Sequence, residues 1–173
     1  MNGSDQVFTI RHAFLLPLGL LLLLCVTTVI VGLLRHHPTN QMVLLAVMTL
    51  PVLGLFAESV VRQARLGSDN ISVHKLWRWK TVRFDDITSV DTLQVRKRAF
   101  ITLSTENDFL IFSNAYSRFP DLVASLLQRV PAGTISPETR AMADHPPVKS
   151  SDIITCWFAV VLMTLILYLQ FLR

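Results

Sequence analysis

The residues best suited to binding or chemistry lie in one short run, HKLWRWKTVRF, at positions 74–84. This run holds two tryptophans, one phenylalanine, two lysines and two arginines among eleven residues. Aromatic rings beside cations stack on nucleic-acid bases and contact phosphates. The same residue types prefer the membrane–water interface, where anionic headgroups attract lysine and arginine. A third interpretation is that the tryptophans cover a protein core while the charges face water.

Other polar groups give weaker signals for chemistry. His36 and His37 are adjacent to each other but have no Cys, Asp or Glu beside them to complete a metal site. Asp85 and Asp86 could form an acid pair, but their position before Ile87 favours a turn or cap. The sequence has no glycine-rich phosphate loop, HExxH motif or recognisable nucleophile–base set. We therefore expect no catalytic site, no metal and no cofactor.

One acidic residue lies inside an apolar stretch. Glu58 is four residues before Arg62, the favourable order for an ion pair on a helix. An acid within a membrane segment is a candidate for ion or proton transport. Because no second acid accompanies it, we predict a structural ion pair between Glu58 and Arg62 near the membrane interface, with transport as the open alternative.

Long apolar segments make up much of the chain that must position these residues. The chain is 51% hydrophobic and 16% charged, with a mean hydropathy of +0.48. Residues 13–34, 42–61 and 153–172 are each long enough to cross a hydrocarbon core of about 30 Å, where only helices satisfy their backbone. The first stretch is too long for a signal-peptide core. Cys25 and Cys156 both lie in these stretches, and we expect them to be packing residues.

The distribution of lysine and arginine predicts the orientation of the three helices. On one side lie eight basic residues: Arg11, Arg62, Arg65, Lys75, Arg78, Lys80, Arg140 and Lys149. On the other side lie two, Arg35 and Arg173. We therefore expect the N-terminus and residues 62–152 to be cytoplasmic and the C-terminus to lie outside.

Between the second and third apolar stretches the pattern changes to short strands. Alternating apolar residues and turn residues predict six of them, at 62–67, 71–76, 80–84, 87–95, 99–105 and 109–115. The apolar positions are odd-numbered at Ile71 and Val73 but even-numbered at Val82 and Phe84. Because such a shift cannot persist in one half-buried strand, we predict a hairpin that turns near residues 77–79.

A helical stripe follows the strands. Apolar residues recur at helical spacing over residues 117–130, with Ser117 as the expected N-cap. Pro131 and Gly133 end this helix. Residues 132–152 are expected to be a linker in which Ser136 and the two residues after it start one short helix.

The sequences ISVHKLWRWKTVRFDDITSV (71–90) and FLIFSNAYSRFPDLVASL (109–126) carry a family resemblance. They resemble the bacterial membrane proteins that contain a pleckstrin-homology-like (PH-like) domain, through Val82, Phe84, Asp86, Ile87 and Val90 in the first stretch. This resemblance implies a small, partly open antiparallel barrel that is capped by a C-terminal helix. It also implies binding or scaffolding rather than catalysis. Such a barrel has seven strands, whereas the sequence pattern identifies six.

The predicted fold class is thus an α+β membrane protein with three transmembrane helices and a PH-like barrel. The predicted segments are a transmembrane hairpin at 1–61, a cytoplasmic PH-like domain at 62–131, a linker at 132–152 and a third transmembrane helix at 153–173.

The expected function is that of a non-enzymatic binding or scaffold protein at the cytoplasmic leaflet of the inner membrane. It would engage anionic lipid headgroups or a protein partner. The predicted lipid-binding residues are Trp77, Arg78, Trp79, Lys80 and Arg83. Residues 62–130 hold eleven basic and seven acidic residues, a weak excess for a nucleic-acid binder. The alternative function is an accessory subunit of a larger membrane complex, or a homo-oligomer, with the helices as its interface.

Overall fold

Helices and antiparallel strands account for most of the computed structural model, which describes residues 6–36, 38–75, 78–147 and 151–172. The helices are α1 (His12–Leu34), α2 (Thr39–Val61), α3 (Phe119–Leu127), α4 (Pro137–Asp144) and α5 (Ser151–Leu172). The strands are β1 (Gln6–Thr9), β2 (Gln63–Leu66), β3 (Asn70–Lys75), β4 (Arg78–Arg83), β5 (Ser89–Val95), β6 (Arg98–Ser104) and β7 (Phe109–Ser113). The α+β class predicted from the sequence is confirmed.

One compact unit consists of α1, α2 and α5, covering 12–60 and 150–173. All three helices are long and apolar enough to cross a membrane, which confirms the three helical stretches predicted from hydropathy. A Cβ atom added at Gly19 would lie 3.1 Å from the ring of Phe56, so glycine allows this close approach of α1 and α2. The hydroxyl of Thr28 is fully buried and donates to the carbonyl of Leu24 at 2.8 Å.

The second unit covers residues 1–11 and 61–149 and contains every strand that the structure describes. Its strands form a four-stranded sheet in the order β1-β2-β3-β4 and a three-stranded sheet in the order β5-β6-β7. Neighbouring strands are antiparallel throughout. Each sheet buries alternate residues, as expected for strands with one face on a core. The buried positions include Phe8, Ala64, Val73, Leu103 and Phe112.

The six strands predicted from the sequence are confirmed to within about two residues at each end, but β1 was missed. Its residues Gln6–Thr9 form a strand by pairing with β2, more than fifty positions later in the chain, where Thr9 lies opposite Gln63. Four residues before an apolar helix give too short an alternation to signal a strand. The unit therefore begins before α1 and includes residues outside the predicted segment 62–131.

The predicted hairpin within residues 71–84 is confirmed. Strands β3 and β4 pair from Asn70 opposite Arg83 to Lys75 opposite Arg78, so the chain reverses between Lys75 and Arg78. This reversal explains the change of apolar parity, because Ile71 and Val82 are paired and both are buried.

The helix that follows β7 is α3, and its N-cap differs from the prediction. The N-cap is Arg118, whose φ of 50° is left-handed and whose side chain makes no capping hydrogen bond. Ser117 instead donates its backbone N–H to the carbonyl of Thr9 at 2.7 Å. The local residue preference for serine at an N-cap is overridden here, because Ser117 connects the end of β7 to β1.

Residues 132–147 pack on the three-stranded sheet and belong to the same unit, although this part of the chain was predicted to be a linker. The short helix predicted there is confirmed as α4, and the hydroxyl of Ser136 accepts from the N–H of Thr139 at its start. Thr139 is fully buried and donates its hydroxyl to the carbonyl of Val90 at 3.1 Å. Ile135 also forms a parallel bridge with Val90, so this segment covers part of the β5 edge.

Candidate functional site

Two of the chain segments that connect the strands to the apolar helices lie at the same end of the four-stranded sheet. The strand register brings them together there. Thr9 ends β1 and lies opposite Gln63, which begins β2. Helix α1 begins three residues after Thr9, and α2 ends two residues before Gln63. Since an extended residue spans at most about 3.6 Å, both connections remain close to this end of the sheet.

The third connection lies at the same end. Ile10 forms an antiparallel bridge with Tyr116, just after β7. Two residues before Tyr116, the side-chain amide of Asn114 donates to the carbonyl of Pro147 at 2.9 Å. Helix α5 begins four residues after Pro147. We call this end of the unit the junction end and define it by Ile10, Val61 and Pro147.

The β3–β4 hairpin also turns at the junction end. His74 lies opposite Gln63, and the hairpin closes one residue later, at Lys75 and Arg78. At about 3.4 Å per residue, this last described pair lies roughly 3 Å beyond Gln63. Trp77, one of the predicted lipid-binding residues, lies outside the described residues.

The outer face of the four-stranded sheet presents an aromatic and basic stack beside this turn. The rings of His74 and Trp79 are stacked with their centroids 4.3 Å apart. The guanidinium of Arg65 lies 4.9 Å from the Trp79 centroid, which is within cation–π range. His74 Nδ1 lies 3.1 Å from the carbonyl of Val61, at the junction end. Trp79 remains 50% exposed, so the core interpretation does not describe it.

Lys80 lies on the opposite face of β4, because it is paired with the buried Val73. Its ammonium crosses to the three-stranded sheet, where it binds the Asp108 carboxylate at 2.5 Å and the carbonyl of Phe109. The hydrogen bond from Lys80, together with that from the Phe109 N–H, lowers the pKa of Asp108 below its ordinary value of 3.8. The Lys80 side chain thus connects the edge of one sheet to the edge of the other.

Arg78 precedes this contact and lines the cleft between β4 and β7. The cleft has a volume of about 610 Å³, and its lining residues are Val73, Arg78, Trp79, Lys80, Asp108, Phe109, Leu110 and Ile111. Phe109 is 57% exposed at the rim. The cleft therefore combines an open apolar rim with the exposed guanidinium of Arg78, an arrangement suited to a ligand with an anionic group and an apolar part.

Arg83 does not join the other predicted lipid-binding residues. It ends β4, five residues from Arg78, or about 17 Å along the strand. Its guanidinium lies 3.6 Å from the Asp85 carboxylate. Asp85, Asp86 and Glu106 line a separate cleft of about 400 Å³ with Thr88, Thr105 and Asn107. The sequence places Arg83 close to Arg78, but the extended backbone separates the two guanidinium groups.

Asp85 and Asp86 occupy a 3₁₀ turn, Phe84–Asp86, which connects β4 to the segment before β5. This bears out the turn interpretation of the acidic pair. Among the described residues, no group of three or more His, Cys, Asp or Glu side chains is arranged to hold a metal ion.

The predicted pair of Glu58 and Arg62 stays a prediction. Glu58 lies in the last turn of α2 and is partly exposed. Arg62 follows the helix, and its guanidinium lies 5.8 Å from the centroid of the Tyr116 ring. This cation–π contact was not foreseen, because Tyr116 lies more than fifty residues further along the chain.

Comparison of the chain with protein-family models, curated proteins and solved structures gives no match. The assignment of function therefore depends on the geometry of the junction end and its charges.

Proposed function

We propose that this chain is a membrane-anchored, non-enzymatic binding protein whose strand-rich unit contacts anionic lipid headgroups at the cytoplasmic leaflet. Helices α1, α2 and α5 span the inner membrane in this proposal, and the excess of basic residues before α1 and between α2 and α5 supports a cytoplasmic location for the unit. The observation that carries the proposal is the location of the β3–β4 hairpin at the junction end, beside the connections to α1 and α2.

The chemistry of the hairpin supports lipid contact in particular. Trp79 is half exposed, and Arg78 is exposed at the mouth of the β4–β7 cleft. Indole rings favour the membrane interface, and a guanidinium binds phosphate through paired hydrogen bonds. Lys80 contributes less directly, because its ammonium is already held by Asp108.

We also propose that the unit is a PH-like barrel. The four-stranded and three-stranded sheets, followed by α3, supply the seven strands and the closing helix that the sequence resemblance implies. In this interpretation the transmembrane hairpin of α1 and α2 is inserted between the first and second strands.

A lipid-binding measurement on the full-length chain tests the proposed function. The protein is purified in detergent and titrated with phosphatidylglycerol or phosphatidylcholine, and bound lipids are counted by native mass spectrometry. One basic residue near an anionic surface contributes about 1 kcal/mol, so Arg78→Gln is expected to weaken phosphatidylglycerol binding by about fivefold.

Arg83→Gln is the matched control, since it removes the same charge from the same strand outside the junction end. We expect its lipid binding to remain at the parent level. Equal binding of both lipids by the parent protein would refute the proposal, and so would equal losses in the two variants.

A second candidate is an accessory subunit of a larger membrane complex. The observation in its favour is α2, in which Met42 is the single buried residue over the whole length of the helix. Co-purification of a stoichiometric membrane protein, lost when α2 is replaced by a polyleucine helix, would support this candidate. A chain that remains alone in mild detergent would refute it.

A further inference from the structure

Besides the β3–β4 turn, a second turn with basic residues lies at the junction end, on the three-stranded sheet. Strands β5 and β6 are closed by Val95 opposite Arg98, with Arg96 and Lys97 between them. All three basic side chains are exposed.

Asn114 fixes this turn beside a connection to the apolar helices. Its side-chain amide donates to the carbonyl of Lys97 at 2.8 Å and to that of Pro147 at 2.9 Å. The Asn114 side chain is buried, with 2% exposure, and both hydrogen bonds are partly buried. The turn and the chain segment that leads to α5 are therefore held by one buried side chain.

Arg96 occupies a backbone conformation in this turn that is unfavourable for arginine. Arg96 has a φ of 55°, a left-handed value that asparagine or glycine adopts more easily than arginine. Strained positions of this kind concentrate at functional sites, where the side chain compensates for the backbone.

Apolar side chains accompany the charges on β5. Leu93 is 62% exposed and Val95 is 54% exposed. They lie two residues apart and so project from the same face of the strand. Exposed apolar residues beside lysine and arginine form the residue combination that inserts at a lipid headgroup boundary.

We infer that the β5–β6 turn is a second membrane-contact element that binds the phosphates of anionic phospholipids through Arg96, Lys97 and Arg98, while Leu93 and Val95 enter the interface. This inference rests on the membrane insertion proposed above. An anionic leaflet fits better than an acidic protein surface, because the turn lies beside the chain's connections to its own membrane helices. Two separate contacts would also hold the unit more firmly than either one, since the second binds at a high effective concentration.

The test uses the full-length protein in nanodiscs. Cys25→Ala and Cys156→Ala remove the native thiols, and Val95→Cys carries a bimane fluorophore. The lipids are equal parts phosphatidylglycerol and phosphatidylcholine, with a trace of lipid that bears a nitroxide on its headgroup. We expect strong quenching of this probe and weaker quenching in discs of phosphatidylcholine alone. The matched control, a probe at Asn107→Cys in the β6–β7 turn, is expected to show little quenching in either.

Charge removal then tests the role of the basic residues. Arg96→Gln, Lys97→Gln and Arg98→Gln together are expected to reduce contact on the order of a hundredfold, since each charge contributes about fivefold. The preference for anionic discs should disappear. Quenching at Val95→Cys that is unchanged by these substitutions, or no stronger than at Asn107→Cys, would overturn the inference. Quenching that requires an added acidic protein would identify a protein partner and would overturn it equally.

The single variant Arg96→Asn separates binding from folding. Asparagine relieves the left-handed backbone, so we expect a higher unfolding temperature together with about fivefold weaker contact. A more stable protein with unchanged contact would overturn the role of Arg96. Failure of this inference can be told from failure of the proposed function by a third probe, at Thr81→Cys beside Trp79. Quenching there without quenching at Val95→Cys rejects the second element alone, and its absence at both positions rejects lipid contact by the unit.

Discussion

The junction end and the opposite part of the strand-rich unit differ sharply in charge. The junction end holds a set of basic residues: Arg11, Arg62, Arg78, Arg96, Lys97 and Arg98. The turns that connect the other ends of the strands carry acids, and we call Asp69, Asp85, Asp86 and Glu106 the acidic end. These turns are linked, because the Phe84 N–H donates to the carbonyl of Asp69 at 3.0 Å. Asp85, Asp86 and Glu106 share one cleft.

This comparison shows that a modest net charge can conceal a strong separation of charge. Residues 62–130 have a net charge of only +4, yet the fold separates most of the basic turn residues from the acidic ones. A unit with such a dipole orients in the field of an anionic surface. In the function proposed above, the basic end of the unit would face the anionic leaflet and the acidic end would face the aqueous phase.

The largest expected effect comes from the side chain that holds the junction end together. Asn114→Ala removes two partly buried hydrogen bonds and leaves the carbonyls of Lys97 and Pro147 without this donor. We expect a loss of about 2 kcal/mol in local stability. Hydrogen exchange should show roughly thirtyfold faster exchange in the β5–β6 hairpin. Asn107→Ala, in the exposed β6–β7 turn, should change exchange little, and equal effects would show that the junction end has no special anchor.

A smaller effect is expected from the stack beside the β3–β4 turn. Trp79→Ala removes the stacking with His74 and the cation–π contact with Arg65. Together these contribute about 1 kcal/mol to stability. The measurement is hydrogen exchange in β3 and β4. Phe109→Ala, which loses one cation–π contact with Lys80, is the control and should have a smaller effect. A larger loss in Phe109→Ala would place the main aromatic contribution in the cleft.

The contact between Lys80 and Asp108 should make a small, pH-dependent contribution. Because folding lowers the pKa of Asp108, the contact stabilises the folded protein at pH values above the ordinary pKa of 3.8. This stabilisation is lost as the pH falls through the lower pKa that Asp108 has in the folded protein. Asp108→Asn should therefore be slightly less stable than the parent at neutral pH and equal to it in strong acid. Lys80→Met should lose the same pH-dependent part, together with a pH-independent part from the Lys80 contacts with the carbonyl and ring of Phe109. A stability difference that persists in strong acid would assign it to packing instead.

The smallest effect is expected at the acidic end. Glu106→Gln removes one of the carboxylates that crowd the cleft with Asp85 and Asp86, so repulsion falls. We expect stability to rise by at most about 0.5 kcal/mol, as for other exposed charges. Binding of phosphatidylglycerol should stay at the parent level, in contrast to Arg78→Gln. A clear change in lipid binding would mean that the acidic end also faces the membrane.

The sequence predicted correctly the features that depend on neighbouring residues. It did not predict the features that depend on contacts between distant residues. The helices α1, α2 and α5 and six strands were predictable, because hydropathy and alternation are local patterns. The β3–β4 hairpin was predictable from the parity change between Val73 and Val82. Strand β1 was not, because its four residues become a strand only through pairing with β2.

The candidate site was predictable only in part for the same reason. The basic and aromatic character of residues 78–80 and their closeness to α2 are visible in the sequence. Their division between the two faces of β4 depends on the register, which places Trp79 opposite His74 and Lys80 opposite Val73. The contact that occupies Lys80 comes from Asp108, twenty-eight residues later. The second basic turn carries no sequence signal for its location, because one buried side chain, Asn114, fixes it there.

By itself, the sequence determined most of the secondary structure of this protein and the order of its charges along the chain. It specifies three apolar helices, a strand-rich segment between two of them and an excess of basic residues beside the apolar stretches. These follow from hydropathy and from repeats of two or about 3.6 residues, which depend on near neighbours alone. The tertiary structure decided that the chain connections and both basic turns share one end, while the acids gather elsewhere. Strand pairing and buried hydrogen bonds between distant residues fix that arrangement, and no local pattern encodes which partners will meet.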